Sequence, residues 1–252
     1  MSNDAIQEKL KNWFNSTGFP LEIECARAFQ RAGFAVEHSA VYPDPETNKG
    51  RELDVLAYKR DATGCYASLF SIECKSSDKP WVVLTNRNRP SNFGGLWIAT
   101  LSRKARDAIG SHLFEYIKAY EEILGPSVGG YALKQAFAGQ SDHAYTACIG
   151  ALKSASSVLK DEGTDIAFGF PTIVVSSPIY EYSEDSNGQQ HFVEVKSSSF
   201  EFSAYWERYN RAVIRIVSKD YLADYAERCR SLSLHYEHLF ANEIQKLFTR
   251  GI

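Results

Sequence analysis

Apolar residues recur along this chain with two different periods, and the points where the period changes divide it into elements. Ile6, Leu10, Trp13 and Phe14 repeat at helical spacing behind Asp4 and Gln7, which stand three apart as in a capping box, and Gly18 closes the segment. A second helix is expected from Pro20, with Leu21, Cys25, Ala28, Phe29 and Ala32 on its apolar face and Gly33 at its end. The pattern then predicts a strand over 34–42, a polar loop over 42–50, and two strands at about 51–59 and 66–75 joined by a turn at Thr63-Gly64. Residues 81–85 predict a short strand and 86–95 a loop. A long amphipathic helix is expected from about 103 to 124, with Ala105, Ile109, Leu113, Ile117, Tyr120 and Leu124 on one face. The Gly-rich stretch 125–141 shows no pattern, and another helix is expected at about 142–161. Pro171 to Val175 is nearly continuous in β-branched residues, as in a strand buried on both faces. A polar tip from Ser183 to Gln190 leads into Phe192-Val193-Glu194-Val195, and residues 212–217 form another strand of buried type. A final helix of about 219–249 turns Tyr225, Cys229, Tyr236, Leu239, Phe240, Leu247 and Phe248 inward.

This order predicts one α/β domain with a mixed central sheet, and it leaves room for a subdomain inserted at about 86–141. The length of 252 residues suits one large domain. The formal net charge of −3 gives no global reason to bind nucleic acid or an anionic membrane, so any such contact must come from a local patch. Five scattered cysteines suggest neither a disulfide framework nor a zinc ribbon, and point to a reduced, cytoplasmic setting. The N-terminus lacks the regions of a signal peptide, and no apolar run reaches membrane-spanning length, so no membrane partner is expected. The length of the last helix invites self-association, and a homodimer through it is expected.

The chemistry concentrates at Arg51-Glu52-Leu53-Asp54 and, one hairpin later, Ile72-Glu73-Cys74-Lys75. Side chains alternate along a strand, so Glu73 and Lys75 share a face and Cys74 takes the other. With the turn at Thr63-Gly64, Asp54 lies across from Glu73. Charges so crowded need a cation, water or ligand to compensate them. Two carboxylates with an ammonium beside them suit a hard divalent cation next to a scissile phosphate: Asp54 and Glu73 as metal ligands, Lys75 for the attacking water and the developing charge. A third carboxylate is expected from the second helix. Glu24 lies one turn before Arg27 on a solvated face, whereas Glu22 stands at the edge of the apolar face, so Glu22 is chosen. Lys79, Trp81, Arg87 and Arg89 follow soon after Lys75 and suggest a grip on a nucleic-acid backbone, with Trp81 either stacking on a base or lying in the core.

These residues resemble the PD-(D/E)XK nuclease superfamily, which includes many restriction endonucleases and junction resolvases. Asp54 matches the motif aspartate and Glu73-Cys74-Lys75 the (D/E)XK element. Phe19-Pro20-Leu21-Glu22 with Gly33-Phe34 is similar to the family's helix glutamate and the Gly-aromatic pair after it. The resemblance covers about 18–85, and Leu53 stands where the motif often has proline. It implies a restriction-endonuclease-like fold, a mixed sheet in an α-β-β-β-α-β core with additional C-terminal strands and helix. It also implies Mg²⁺ or Mn²⁺ held by Asp54, Glu73, the Cys74 carbonyl and Glu22 (directly or through water), and endonuclease activity on DNA in restriction, phage defence or repair. The alternative is an inactive nucleic-acid-binding or interaction module of the same fold. The second Glu-x-Lys, Glu194-Val195-Lys196, lacks the upstream aspartate and helix glutamate and reads as a solvated strand face. His235 and His238 lack the spacing of a zinc protease, and no Walker loop or nucleophile elbow occurs.

Overall fold

The computed structural model describes residues 3–86, 96–139, 142–159, 165–206 and 208–250. Two helices, α1 (Asn3–Asn15) and α2 (Phe19–Arg31), precede strands β1 (Ala35–Pro43), β2 (Gly50–Arg60), β3 (Tyr66–Lys75) and β4 (Trp81–Thr85). Then come β5 (Thr100–Leu101), α3 (Arg103–Ile109), α4 (Leu113–Leu124), β6 (Gly130–Gln135) and α5 (His143–Val158). The chain continues through β7 (Ile166–Val175), β8 (Ile179–Glu184), β9 (Gln190–Val195), β10 (Ser197–Trp206) and β11 (Arg208–Ser218), and ends in α6 (Leu222–Leu239) and α7 (Ala241–Arg250).

The strands form one large mixed sheet in the order β1-β2-β3-β7-β11-β10-β6-β4-β8-β9, with β5 paired to β7 off that path. β1, β2 and β3 are antiparallel, while β7 runs parallel to both β3 and β11. β7 is buried along its whole length, because helices cover both of its faces. α2, α3, α4 and α6 bury one face through a core that includes Phe29, Phe70, Tyr116, Phe168, Tyr225 and Tyr236. α5 covers the other face, packing on Trp81, Ile173, Ile179 and Ile216. Most of its buried residues are small (Ala144, Ala147, Cys148, Ala151, Ser154, Ala155), so its backbone comes close to the sheet. At Gly169 of β7 a Cβ would stand 2.8 Å from the Ala155 carbonyl oxygen. No helix among the described residues is long and apolar enough to cross a membrane.

Several expectations change. The helix expected over 103–124 breaks at Gly110, and a short 3-10 turn separates α3 from α4. The break resets the phase, so Tyr116 is fully buried and Leu113 is exposed. The terminal helix divides at Phe240, whose ring packs on Phe168, Tyr236 and His112. Within it, Phe248 is exposed rather than inward. The unpatterned stretch contains β6, and β10 was not foreseen. The segment 96–135 shares the common sheet and core: Ile98, Ala105 and Tyr116 pack with Phe29 and Phe70, and β6 pairs with β4 and β10. The apolar stripe of α1 stays in solvent, with Ile6, Leu10 and Trp13 all exposed and no residue of the helix buried. Trp81 is fully buried among Val83, Leu133 and Ile179, and cannot stack on a base. Arg87 and Arg89 lie outside the described residues.

Candidate active site at the end of the β2–β3 hairpin

The β2–β3 register runs from Arg60 opposite Ala67 to Val55 opposite Ile72. One step further, where Asp54 and Glu73 would face each other, the Cys74 N–H donates to Asp54 Oδ2 at 2.7 Å. The β1–β2 register passes this point unshifted but lacks one pair. Ser39, at φ 50°, is skipped between the pairs His38–Val55 and Ala40–Leu53. Asp54 thus stands where the β2–β3 pairing ends and opposite a residue of β1 that does not pair with it. In a strand the N–H and C=O of one residue leave on the same side, so the Cys74 carbonyl points toward the Asp54 edge as well.

Alternation along β3 sends Glu73 and Lys75 to the α5 face, as the sequence pattern predicts. The Lys75 Nζ donates to Glu73 Oε2 at 2.8 Å and lies 3.7 Å from Asp54 Oδ2, so one ammonium bridges two carboxylates. Burial lifts the Glu73 carboxyl above its ordinary value; Lys75 pulls it back and Asp54 pushes it further up, leaving it raised. Burial works against the Lys75 charge, but attraction to Glu73 and their hydrogen bond outweigh it and hold the ammonium protonated. Cys74 turns to the opposite face, where contact with Cys25 of α2, together with burial, keeps its thiol well above the usual range.

Glu22 sits at the start of α2, half-buried, within the field of this group. Burial raises its carboxyl, and Asp54 and Glu52 raise it further against the pull of Lys75. Its Oε1 folds back to 3.4 Å from where a Cβ on Gly18 would stand. Glu24 faces away and pairs with Lys219 at 3.6 Å. The expected set is therefore brought together in part: Asp54, Glu73 and Lys75 touch, whereas Glu22 acts on them through its charge. Among the described residues no three His, Cys, Asp or Glu side chains gather closely enough to hold a metal by themselves. Two carboxylates remain, and magnesium is commonly held by one or two carboxylates with waters and substrate phosphates. The donors are hard oxygens and one ammonium does not balance the acids around it, so the residues fit such an ion. Lys79 is exposed just beyond β3.

Three neighbours were not singled out from the sequence. Tyr42, at the end of β1, is buried beside the site; burial, then the Glu73 and Asp44 charges, push its phenol up to about 12. Gly150 of α5 lies against the Glu73 carboxylate. Lys153, one turn along α5, pairs with Asp44 at 3.2 Å and with Glu46, and so ties the β1–β2 loop to the helix. Arg51 joins that cluster at 3.5 Å from Asp44. A glycine within a run of small helical residues was the only signal for any of these.

Comparison with protein-family models, with curated proteins and with solved structures finds no match for this chain. The resemblance to PD-(D/E)XK nucleases therefore rests on the motif residues and on the arrangement of Asp54, Glu73 and Lys75.

Proposed function

We propose that this protein is a divalent-metal-dependent endonuclease of restriction-endonuclease-like fold that hydrolyses DNA phosphodiester bonds. One observation carries the proposal. Where β2 and β3 part, Asp54 and Glu73 share a single ammonium, and burial and mutual repulsion leave Glu73 and Glu22 with raised proton affinity. An excess of buried negative charge at a strand end calls for a cation.

In this reading Asp54, Glu73 and the Cys74 carbonyl would hold Mg²⁺ or Mn²⁺, with Glu22 joining them directly or through water. The bound ion supplies Lewis acidity to the phosphate and acidifies a coordinated water. Lys75, kept protonated, orients the attacking water and donates to a phosphate oxygen as negative charge builds there. Asp54, fixed by the Cys74 N–H, keeps its orientation without rearrangement. DNA is the substrate that the resemblance implies.

The test is nicking of supercoiled plasmid with Mg²⁺ or Mn²⁺ by the wild type, Asp54→Ala and Lys75→Ala, with circular dichroism to verify folding. Cleavage by the wild type alone supports the reading. A wild-type protein that cuts neither DNA nor RNA with any divalent ion refutes it. The second reading is a non-cleaving nucleic-acid-binding or interaction module of the same fold, in which the Lys75 bridge between Asp54 and Glu73 serves as a structural ion pair. Binding of nucleic acid without metal-dependent cutting would select it.

A further inference from the structure

Gly150 lies within α5, whose neighbouring residues Ala147, Cys148, Ala151 and Leu152 are all buried. Its backbone is not in the left-handed region, so conformational freedom does not explain a glycine there, and alanine would favour the helix more. Space does explain it. A Cβ built at Gly150 would stand 2.9 Å from Glu73 Oε1 and 3.1 Å from its Cδ, and the three nearest atoms all belong to that carboxylate. Glu73 Oε2 is meanwhile held by Lys75 at 2.8 Å. The carboxylate is therefore wedged between a bare stretch of helix backbone and the ammonium.

Resting on the metal-site reading above, we propose that Gly150 is a positioning residue. Its missing methyl is the slot that receives Glu73 Oε1 and aims Oε2 at the gap shared with Asp54. The clash that an alanine would create falls on the free end of a side chain and not on backbone, so the fold yields by moving the carboxylate. This differs from Gly169, where an added Cβ would meet the backbone of α5 itself.

Mn²⁺ binding is measured by calorimetry on the full chain for the wild type, Gly150→Ala, Glu73→Asp and the double variant, with far-UV circular dichroism and melting curves on the same samples. Gly150→Ala is expected to melt at or above the wild-type temperature yet bind Mn²⁺ about tenfold or more weakly, the usual size of an outer-sphere effect. The shorter Glu73→Asp side chain clears the new methyl. The double variant should therefore bind more tightly than the product of the two single losses. Wild-type affinity in Gly150→Ala, or strictly multiplicative losses, overturns the proposal. If Gly150→Ala fails to fold, the double variant must recover the fold, and its failure to do so also overturns it. A wild type that binds no Mn²⁺ and cuts no nucleic acid is a different result: it sinks the nuclease reading itself, and this proposal with it.

Discussion

Two clusters in this protein are each built on a lysine between two carboxylates, one of them with Arg51 added, and they have opposite electrostatics. In one, Lys153 of α5 meets Asp44 and Glu46 of the β1–β2 loop. In the other, Lys75 meets Glu73 and Asp54. Burial alone would raise the Asp44 carboxyl, but backbone N–H groups of Glu46 and Thr47 and the Lys153 ammonium bring it down to about 2. Asp44 is thus fully satisfied. Glu73 gains only its lysine against burial and Asp54, and ends raised. A structural ion cluster completes its hydrogen bonds from within, whereas a site meant for a ligand leaves charge uncompensated. On the proposed reading, the bridged triad at Lys75 belongs to the second kind.

The sharpest way to break that comparison is to make the same change in each cluster. Asp54→Ala should lower plasmid nicking by roughly a thousandfold or more, the loss expected when an electrostatic anchor of the transition state goes. Asp44→Ala should leave nicking at the wild-type level at temperatures where both proteins are folded. Equal losses in the two variants would mean that the clusters are one functional unit.

Removing the lysines tests stability rather than chemistry. The Lys153 side chain is 9% exposed and that of Lys75 30%. Lys153→Met leaves Asp44 with Arg51 and two backbone N–H groups but takes away its buried ammonium, and should cost about 1.5–3 kcal/mol in denaturant unfolding. Lys75→Met, nearer to water, should cost only about 1–2 kcal/mol. A larger loss at Lys75 would show that its cluster is the structural one.

Acid should then separate the two by sign. Asp44 has a folded value below its unfolded 3.8, so its contribution is present above that pH and is lost as the pH falls through about 2. Asp44→Asn should therefore be less stable than the wild type by about 1–2 kcal/mol at neutral pH, with the difference vanishing toward pH 2, as read by urea titration. Glu73 and Glu22 are raised above 4.5, so their ionised, metal-binding forms are lost on acidification before an ordinary carboxylate would be. Mn²⁺ affinity should fall already above pH 4.5, and Asp44→Asn should not move that limb. A limb below that value would place the metal elsewhere.

The hairpin was legible because its information is local. Thr63-Gly64 sets the centre, strand alternation sets the faces, and together they place Asp54, Glu73 and Lys75 at one spot. Helix periodicity likewise separated Glu22 from Glu24. The same periodicity failed at α1, whose stripe has the right spacing but buries no residue and touches α2 where Phe14 stacks on Phe19, since a pattern states which face is apolar and not what covers it. It also missed the break at Gly110, where one residue resets the phase of the following helix. Trp81 could be read as a stacking residue or as core until Leu133 and Ile179, far along the chain, were seen to enclose it.

Residue order alone thus set the edge position of Glu22 on α2, the hairpin and the charged triad at its end, because each depends on residues within a few turns or one tight loop. Only the tertiary structure decided the strand order, the approach of α5 that desolvates Glu73, and the pairing of Lys153 with Asp44 across 109 positions. Those features depend on how distant segments fill shared volume, and no local period encodes that.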